Sequence, residues 1–187
     1  MPRPMKGYFG IGVEGISKPM NVGAVLRTAH AFGASFVFTV APATDDVDFG
    51  WSNTSSTEQS VPFYTFPDAA SLTLPEGCQL IGIELMDRSI DLPSFRHPRR
   101  AAYILGSERH GLSREMQARC DHIVKIPTRF SINLSLAGAL VMYDRVITLG
   151  RFAPRPVRSG GPTEPAPVHI QGGLLQRNRR GLDDGET

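Results

Sequence analysis

Four stretches of this 187-residue chain combine residue types and spacings that could do chemistry. The first, GIGVEG at residues 10–15, copies the pattern G-x-G-x-x-G. Between a strand and a helix, that pattern wraps a dinucleotide's pyrophosphate at the helix N-terminus. Here Pro19 follows Gly15 by four residues and biases the residue before it toward extended backbone. The next helix is therefore expected to start near Asn21, too late to meet a pyrophosphate. No acidic residue closes the following strand, where a ribose would be held, and Asp45 lies 30 residues beyond Gly15. A structural role is the better reading: Gly10 and Gly12 let a buried first strand pack closely, and Gly15 turns the chain.

The second stretch, NVGAVLRTAHAFGA (21–34), sets Val22, Val25, Leu26, Ala29 and Phe32 on one helical face. Arg27 falls almost opposite, and Asn21 is a candidate N-cap. In the third, LGSERHGLS (105–113), Gly106 and Gly111 bracket a loop at the end of an apolar run. The carboxyl end of a strand is where α/β folds place ligands. The fourth, IPTRFSINLSLAGALVMYDRVITLG (126–150), has only Asp144 and Arg145 charged between Asn133 and Gly150. A helix that apolar is expected to be buried on several sides, which in so small a chain points to a subunit interface or an unusually deep position. Taken singly, each stretch also reads as ordinary structure: a capped helix with a surface arginine, a glycine turn, a core helix.

The elements that must position these stretches alternate. Apolar or β-rich runs at 8–14, 35–40, 61–66, 79–85, 101–106 and 122–126 read as strands; 21–32, 113–119 and 133–149 read as helices. Residues 42–60 are polar and turn-prone. Continuous apolar runs such as QLIGIEL and AAYILG suit strands buried on both faces, so the class is α/β with a parallel sheet flanked by helices. From Ala153 onward five Pro and six Gly fall in 35 residues and hydrophobic periodicity stops. We expect a domain over 1–152 and a disordered or loosely attached Pro/Gly/Arg-rich tail over 153–187.

Composition excludes some classes. With 41% hydrophobic residues the chain can bury a core, and no run of 18 apolar residues could span a membrane. The first residues lack the apolar segment of a secretory leader, and Cys78 and Cys120 have no metal-like spacing. A cytoplasmic chain with no metal and no membrane association is expected. The net charge of +2 hides an asymmetry: residues 45–87 carry eight Asp/Glu and no Lys/Arg, whereas 88–129 carry nine Lys/Arg against four Asp/Glu. The basic half suits a polyanionic partner.

Together, and in this order, the motifs over roughly residues 8–150 resemble the SpoU (TrmH-like) branch of the SPOUT RNA methyltransferases. That family's first motif, N-x-G-x-x-x-R-x-A-x-x-F-G, is matched by Asn21, Gly23, Arg27, Ala29, Phe32 and Gly33. Its second is matched by Gly106, Glu108, Gly111 and Leu112, and its third by Ile126, Pro127, Ser131, Asn133 and Ser135. One departure is a loop about three residues shorter between Ile126 and Ser131, which implies a tighter cofactor pocket.

The resemblance implies a C-terminal segment threaded into a deep trefoil knot, an exception to the usual rule against knots. It implies S-adenosyl-L-methionine bound at that knot, a homodimer paired across it, and methyl transfer to a ribose 2′-hydroxyl of tRNA or rRNA. Arg27 would stabilise the developing oxyanion and grip an adjacent phosphate, which accepts the proton; it would act in its own site or across the dimer. Asn21, Ser131 and Asn133 would position the ribose, and Glu108 would orient Arg27 or Asn21. Leu85, Gly106, Ile126, Ile132 and Ser135 would hold the cofactor. Two alternatives stand beside this reading: a knotted RNA-binding protein without catalysis, which the intact Arg27, Glu108 and Asn133 disfavour, and a dinucleotide-dependent oxidoreductase.

Overall fold

The computed structural model describes residues 7–17, 19–43, 61–150, 152 and 159–160. The chain divides into a unit Lys6–Leu149 and a second made of Met1–Met5 with Gly150–Thr187. Of the second, only Gly150, Phe152, Ser159 and Gly160 are described, and they form no helix or strand. The tail expected over 153–187 and most of the polar segment 42–60 thus lie outside the described residues.

The larger unit is a parallel sheet. Its strands are β1 (Tyr8–Glu14), β2 (Phe36–Val40), β3 (Phe63–Phe66), β4 (Gln79–Ile83), β5 (Ile90–Asp91), β6 (Arg100–Leu105) and β7 (His122–Lys125), and its helices are α1 (Pro19–Phe32), α2 (Arg114–Arg119) and α3 (Leu134–Leu149). The seven strands run in the order β3-β2-β1-β6-β4-β7-β5, every pairing parallel. Six strands match the runs read from sequence; β5, two residues long, is too short to leave a pattern. The strand order reverses between β1 and β6, and a ligand crevice is expected outside the carboxyl ends at such a reversal.

Side-chain alternation builds two cores. Phe9, Ile11 and Val13 of β1 join Ala101, Tyr103 and Leu105 of β6 in one cluster, with Val22, Val25 and Ala29 of α1 and Ala137 and Val141 of α3. Ala102 and Ile104 of β6 point the other way, toward Phe38, Leu80, Leu112 and Met116 of α2. A methyl at Gly10 or Gly12 would overlap the Phe36 or Phe38 ring, so those glycines do permit close packing against β2. Gly15 turns the chain at a φ of 64°.

Two expectations change. Helix α1 begins at Pro19, not Asn21, because a proline costs nothing where the first helical N–H groups have no intrahelical acceptor. Asn21 therefore lies inside the first turn and is not the N-cap. Helix α3 is also not buried on several sides: Leu134, Ala137, Gly138, Val141, Met142 and Arg145 are buried. Leu136, Leu140 and Tyr143, spaced i, i+4, i+7, stand exposed.

The charged pair of α3 is structural. Arg145 is 1% exposed. Its guanidinium donates to the carbonyls of Pro98 (2.5 Å), Arg99 (2.9 Å) and Tyr8 (3.3 Å) and to the Tyr103 hydroxyl (3.1 Å). It also lies over the Phe9 ring, 5.2 Å from the centroid. Tyr103 Oη is 2.5 Å from His97 Nδ1, and His97 Nε2 is 2.9 Å from Asp144 Oδ2. A neutral imidazole completes this chain, accepting at Nδ1 and donating at Nε2. Burial lowers the His97 pKa against the pull of Asp144, and burial pushes Tyr103 up to about 12. Burial likewise raises both thiols, Cys120 to about 12, so neither is a ready nucleophile. Among the described residues no helix is long and apolar enough to cross a membrane.

Candidate active site

The carboxyl ends of β1, β4, β6 and β7 share one edge of the sheet, and a glycine-bracketed loop after β6 fills it. Ser107 and Gly111 close this turn with a pair of backbone bonds, at 3.2 and 2.9 Å, and Ser107 Oγ accepts from the His110 N–H at 3.2 Å. Gly111 sits at a φ of 65°, in the left-handed region that favours glycine. At Gly106 a β-carbon would collide with the backbone of Gly111 and Leu112. Both glycines are thus required by the loop's own geometry.

Two carboxylates that the sequence reading missed anchor the loop. Glu84, just past β4, accepts from the Leu112 N–H at 2.7 Å and the Leu85 N–H at 3.0 Å. Glu14, buried at the end of β1, accepts from the Ser113 N–H at 2.8 Å and the Ser113 hydroxyl at 2.6 Å. Ser113 Oγ in turn caps α2 by accepting from Met116 N–H at 3.0 Å. The available signal was an acid closing an otherwise apolar strand, in GIGVEG and again in LIGIEL. A carboxylate there must find donors, and the loops that follow the strands supply them.

Glu108, at the crown of the turn, draws the three polar motifs together. Its Oε1 accepts from Asn21 Nδ2 of α1 at 2.9 Å and from Asn133 Nδ2 at 3.4 Å. Asn133 is held from the other side as well. Its Oδ1 accepts from the Ser135 N–H at 2.9 Å and the Ser135 hydroxyl at 2.6 Å, which caps α3 and fixes which way the amide faces.

Two cavities flank Glu108. The larger, about 580 Å³, lies along the ends of β4, β6 and β7 and is lined by Leu85, Gly106, Glu108, Ile126, Ser131, Ile132 and Asn133 among others. That volume suits a drug-sized ligand despite the short 126–131 loop, where Thr128 folds back on the Ile126 carbonyl at 2.7 Å. The smaller, about 190 Å³, is lined by Asn21, Ser17 and Ala43 and shares Ser107, Glu108, His110 and Leu134 with the larger. Eight of the ten residues singled out from sequence therefore line one cavity or the other. Ser135 does not: its hydroxyl is turned to Asn133. Arg27 does not either: it is exposed on α1, past Asn21, and lines neither cavity.

A family model described as the SpoU rRNA Methylase family matches residues 9–143. The chain belongs to the SpoU rRNA Methylase family. Its SpoU relatives include a tRNA (guanosine(18)-2′-O)-methyltransferase of Escherichia coli K12, 29% identical over 137 residues, which cover 71% of this chain and 60% of that protein. Another is the 23S rRNA (guanosine-2′-O-)-methyltransferase RlmB of Neisseria meningitidis, 34% identical over 144 residues, 71% of this chain and 55% of the relative. The chain thus spans only 55–60% of the length of these two SpoU relatives. Among solved structures, the SpoU methyltransferase AviRb of Streptomyces viridochromogenes, in complex with AdoMet, aligns with a TM-score of 0.65 at 24% identity, over 76% of this chain and 58% of AviRb. The A. aeolicus TrmH/SpoU tRNA modifying enzyme aligns at 0.68 and 18% identity, over 79% of this chain and 77% of that one. At such identities the shared SpoU feature is the fold: a parallel sheet with flanking helices.

Proposed function

We propose that this chain transfers a methyl group from S-adenosyl-L-methionine to a ribose 2′-hydroxyl of tRNA or rRNA. The observation that carries the reading is Glu108, tied to Asn21 and Asn133 on the wall between two cavities of unequal size. The larger cavity fits the cofactor. Leu85, Ile126 and Ile132 offer apolar surface, and Gly106, where a side chain would collide with the Gly111–Leu112 backbone, lines the cavity with bare backbone. When bound there, the cofactor supplies a methyl on a cationic sulfur, a leaving group that needs no metal. The smaller cavity would take the acceptor ribose: Asn21 lines it, and Ser131 and Asn133 would reach the ribose hydroxyls from the wall of the larger cavity.

Arg27 is the oxyanion stabiliser in this reading. A ribose hydroxyl is barely acidic, so charge developing on its oxygen sets the barrier, and a fixed cation there lowers it. Because Arg27 lines neither cavity of its own chain, it would serve the site of a second copy and grip a phosphate of the same RNA. The exposed Leu136, Leu140 and Tyr143 stripe of α3 supplies a surface for that homodimer. A deep trefoil knot at the C-terminal segment, a methyltransferase domain over 1–152 with a tail over 153–187, and a cytoplasmic location belong to the same reading.

Calorimetry tests the cofactor assignment. S-adenosylmethionine or its demethylated product gives binding heat, and NAD gives none. Gly106→Ala forces the Gly111–Leu112 backbone to shift, which deforms the loop that walls the cavity and reduces that affinity at least about tenfold, about 1.4 kcal/mol. Gly23→Ala, whose added methyl meets nothing within 4 Å, leaves it unchanged. NAD heat without S-adenosylmethionine heat would overturn the assignment.

A further inference from the structure

Methyl transfer changes the charge of the cofactor. S-adenosylmethionine carries a sulfonium, an ammonium and a carboxylate, and so a net positive charge. Its demethylated product has a neutral thioether and no net charge. The larger cavity holds a group that distinguishes the two. Glu84 lines it, half-buried, and no Lys or Arg stands among the described residues of its wall. The carboxylate is fixed in place. Its oxygens accept from the Leu85 and Leu112 N–H groups at 3.0 and 2.7 Å, and a β-carbon at Gly111 would overlap its Oε2. Those bonds use one acceptor site on each oxygen and bring no cation. No ion pair among the described residues involves Glu84. A carboxylate half out of water with no cation beside it is costly, and a cationic ligand in the cavity offsets that cost. Glu108 shares the wall but is tied to Asn21 and Asn133.

We propose that Glu84 is a specificity-determining residue that favours the cationic methyl donor over its neutral, demethylated product; this rests on the cofactor reading above. Coulombic attraction acts across a cavity of about 580 Å³ without direct contact, and it is stronger there than in bulk water. When the methyl leaves, the electron pair of the broken carbon–sulfur bond stays on sulfur, and the attraction to the sulfonium is gone. The ammonium and carboxylate of the amino-acid tail are unchanged, so the two ligands differ in charge at sulfur alone. The product is then the weaker ligand, and fresh donor displaces it. Glu84 thus anchors the glycine loop through two N–H bonds and also sets the charge of the cavity. Glu14 anchors the same loop at Ser113 but lines neither cavity.

Calorimetry on the full chain compares three ligands: S-adenosylmethionine, its demethylated product, and an analogue with a protonated amine in place of the sulfonium. The wild type is expected to bind both cationic ligands about tenfold tighter than the thioether. Glu84→Gln, which keeps the size and loses the charge, should bring the three affinities within about twofold of one another. Loosening of the loop alone would weaken all three alike. Glu14→Gln supplies that comparison: it loosens the loop at Ser113 from outside the cavities, so its preference for the cations stays. A wild type that binds the thioether as tightly as the cations overturns the proposal, and that measurement requires no variant to fold. An unchanged preference in Glu84→Gln overturns it too, as does a preference lost equally in Glu14→Gln. A wild type that gives no heat with any of the three fails the cofactor reading itself and this inference with it.

Discussion

Arg27→Ala is expected to lower methyl transfer about 10²–10³-fold, the loss typical of removing a donor aimed at a developing oxyanion. Folding and cofactor affinity should survive, because Arg27 is exposed on α1 and lines neither cavity of its own chain. Arg27→Lys keeps the charge but not the planar fork, and should also be badly impaired. The position makes a sharper prediction. Arg27 lies six residues beyond Asn21, about 9 Å along the helix, and in the proposed homodimer it serves the partner's site. Arg27→Ala chains mixed with Asn133→Ala chains should then recover activity. In a mixed dimer one site combines an intact Asn133 with an intact Arg27, so random pairing restores about a quarter of the sites. No recovery would place Arg27 in its own chain's site. Transfer by Arg27→Ala at near the wild-type rate would make it an ordinary surface residue.

The second large effect is on stability. Arg145→Met, which keeps an unbranched apolar stem, is expected to destabilise the fold by about 3–5 kcal/mol, read as a lower denaturation midpoint in urea. Four bonds are lost at once, and the Pro98 and Arg99 carbonyls are left facing a thioether in a buried site. Because Tyr103 is also the hydroxyl partner of His97, the variant should loosen the His97–Asp144 contact as well. A variant as stable as wild type would mean that water or a shifted carbonyl replaces the guanidinium without cost.

The sheet was legible because strands buried on both faces, such as β4 and β6, leave continuous apolar runs, and four more strands leave apolar or β-rich ones. The site was legible at residues whose types are unusual for their place. Gly106 and Gly111 are needed by backbone geometry, and Asn133 sits where a helix must be capped. What could not be read depends on contacts between distant segments. Glu14 and Glu84 have no role until the fold brings Ser113 and Leu112 to them. Arg145 is one of two charges on an otherwise apolar stretch, and its sequence neighbours give no sign of its partners. Its burial needs Tyr8, Pro98, Arg99 and Tyr103 to converge, and no local pattern announces that. The Asn21 cap failed for a local reason, since a proline opening a helix shifts the start by a turn's fraction and frees the asparagine for Glu108.

The central claim is chemical, and one measurement meets it directly. Purified protein is incubated with methyl-labelled S-adenosylmethionine and with tRNA and rRNA from a strain lacking the gene, and the RNA is digested to nucleosides. The account predicts label in a 2′-O-methylated nucleoside, absent when Glu108→Ala replaces the wild type. Label on a base instead of the ribose, or no label in either RNA from a protein that binds the cofactor, would contradict it.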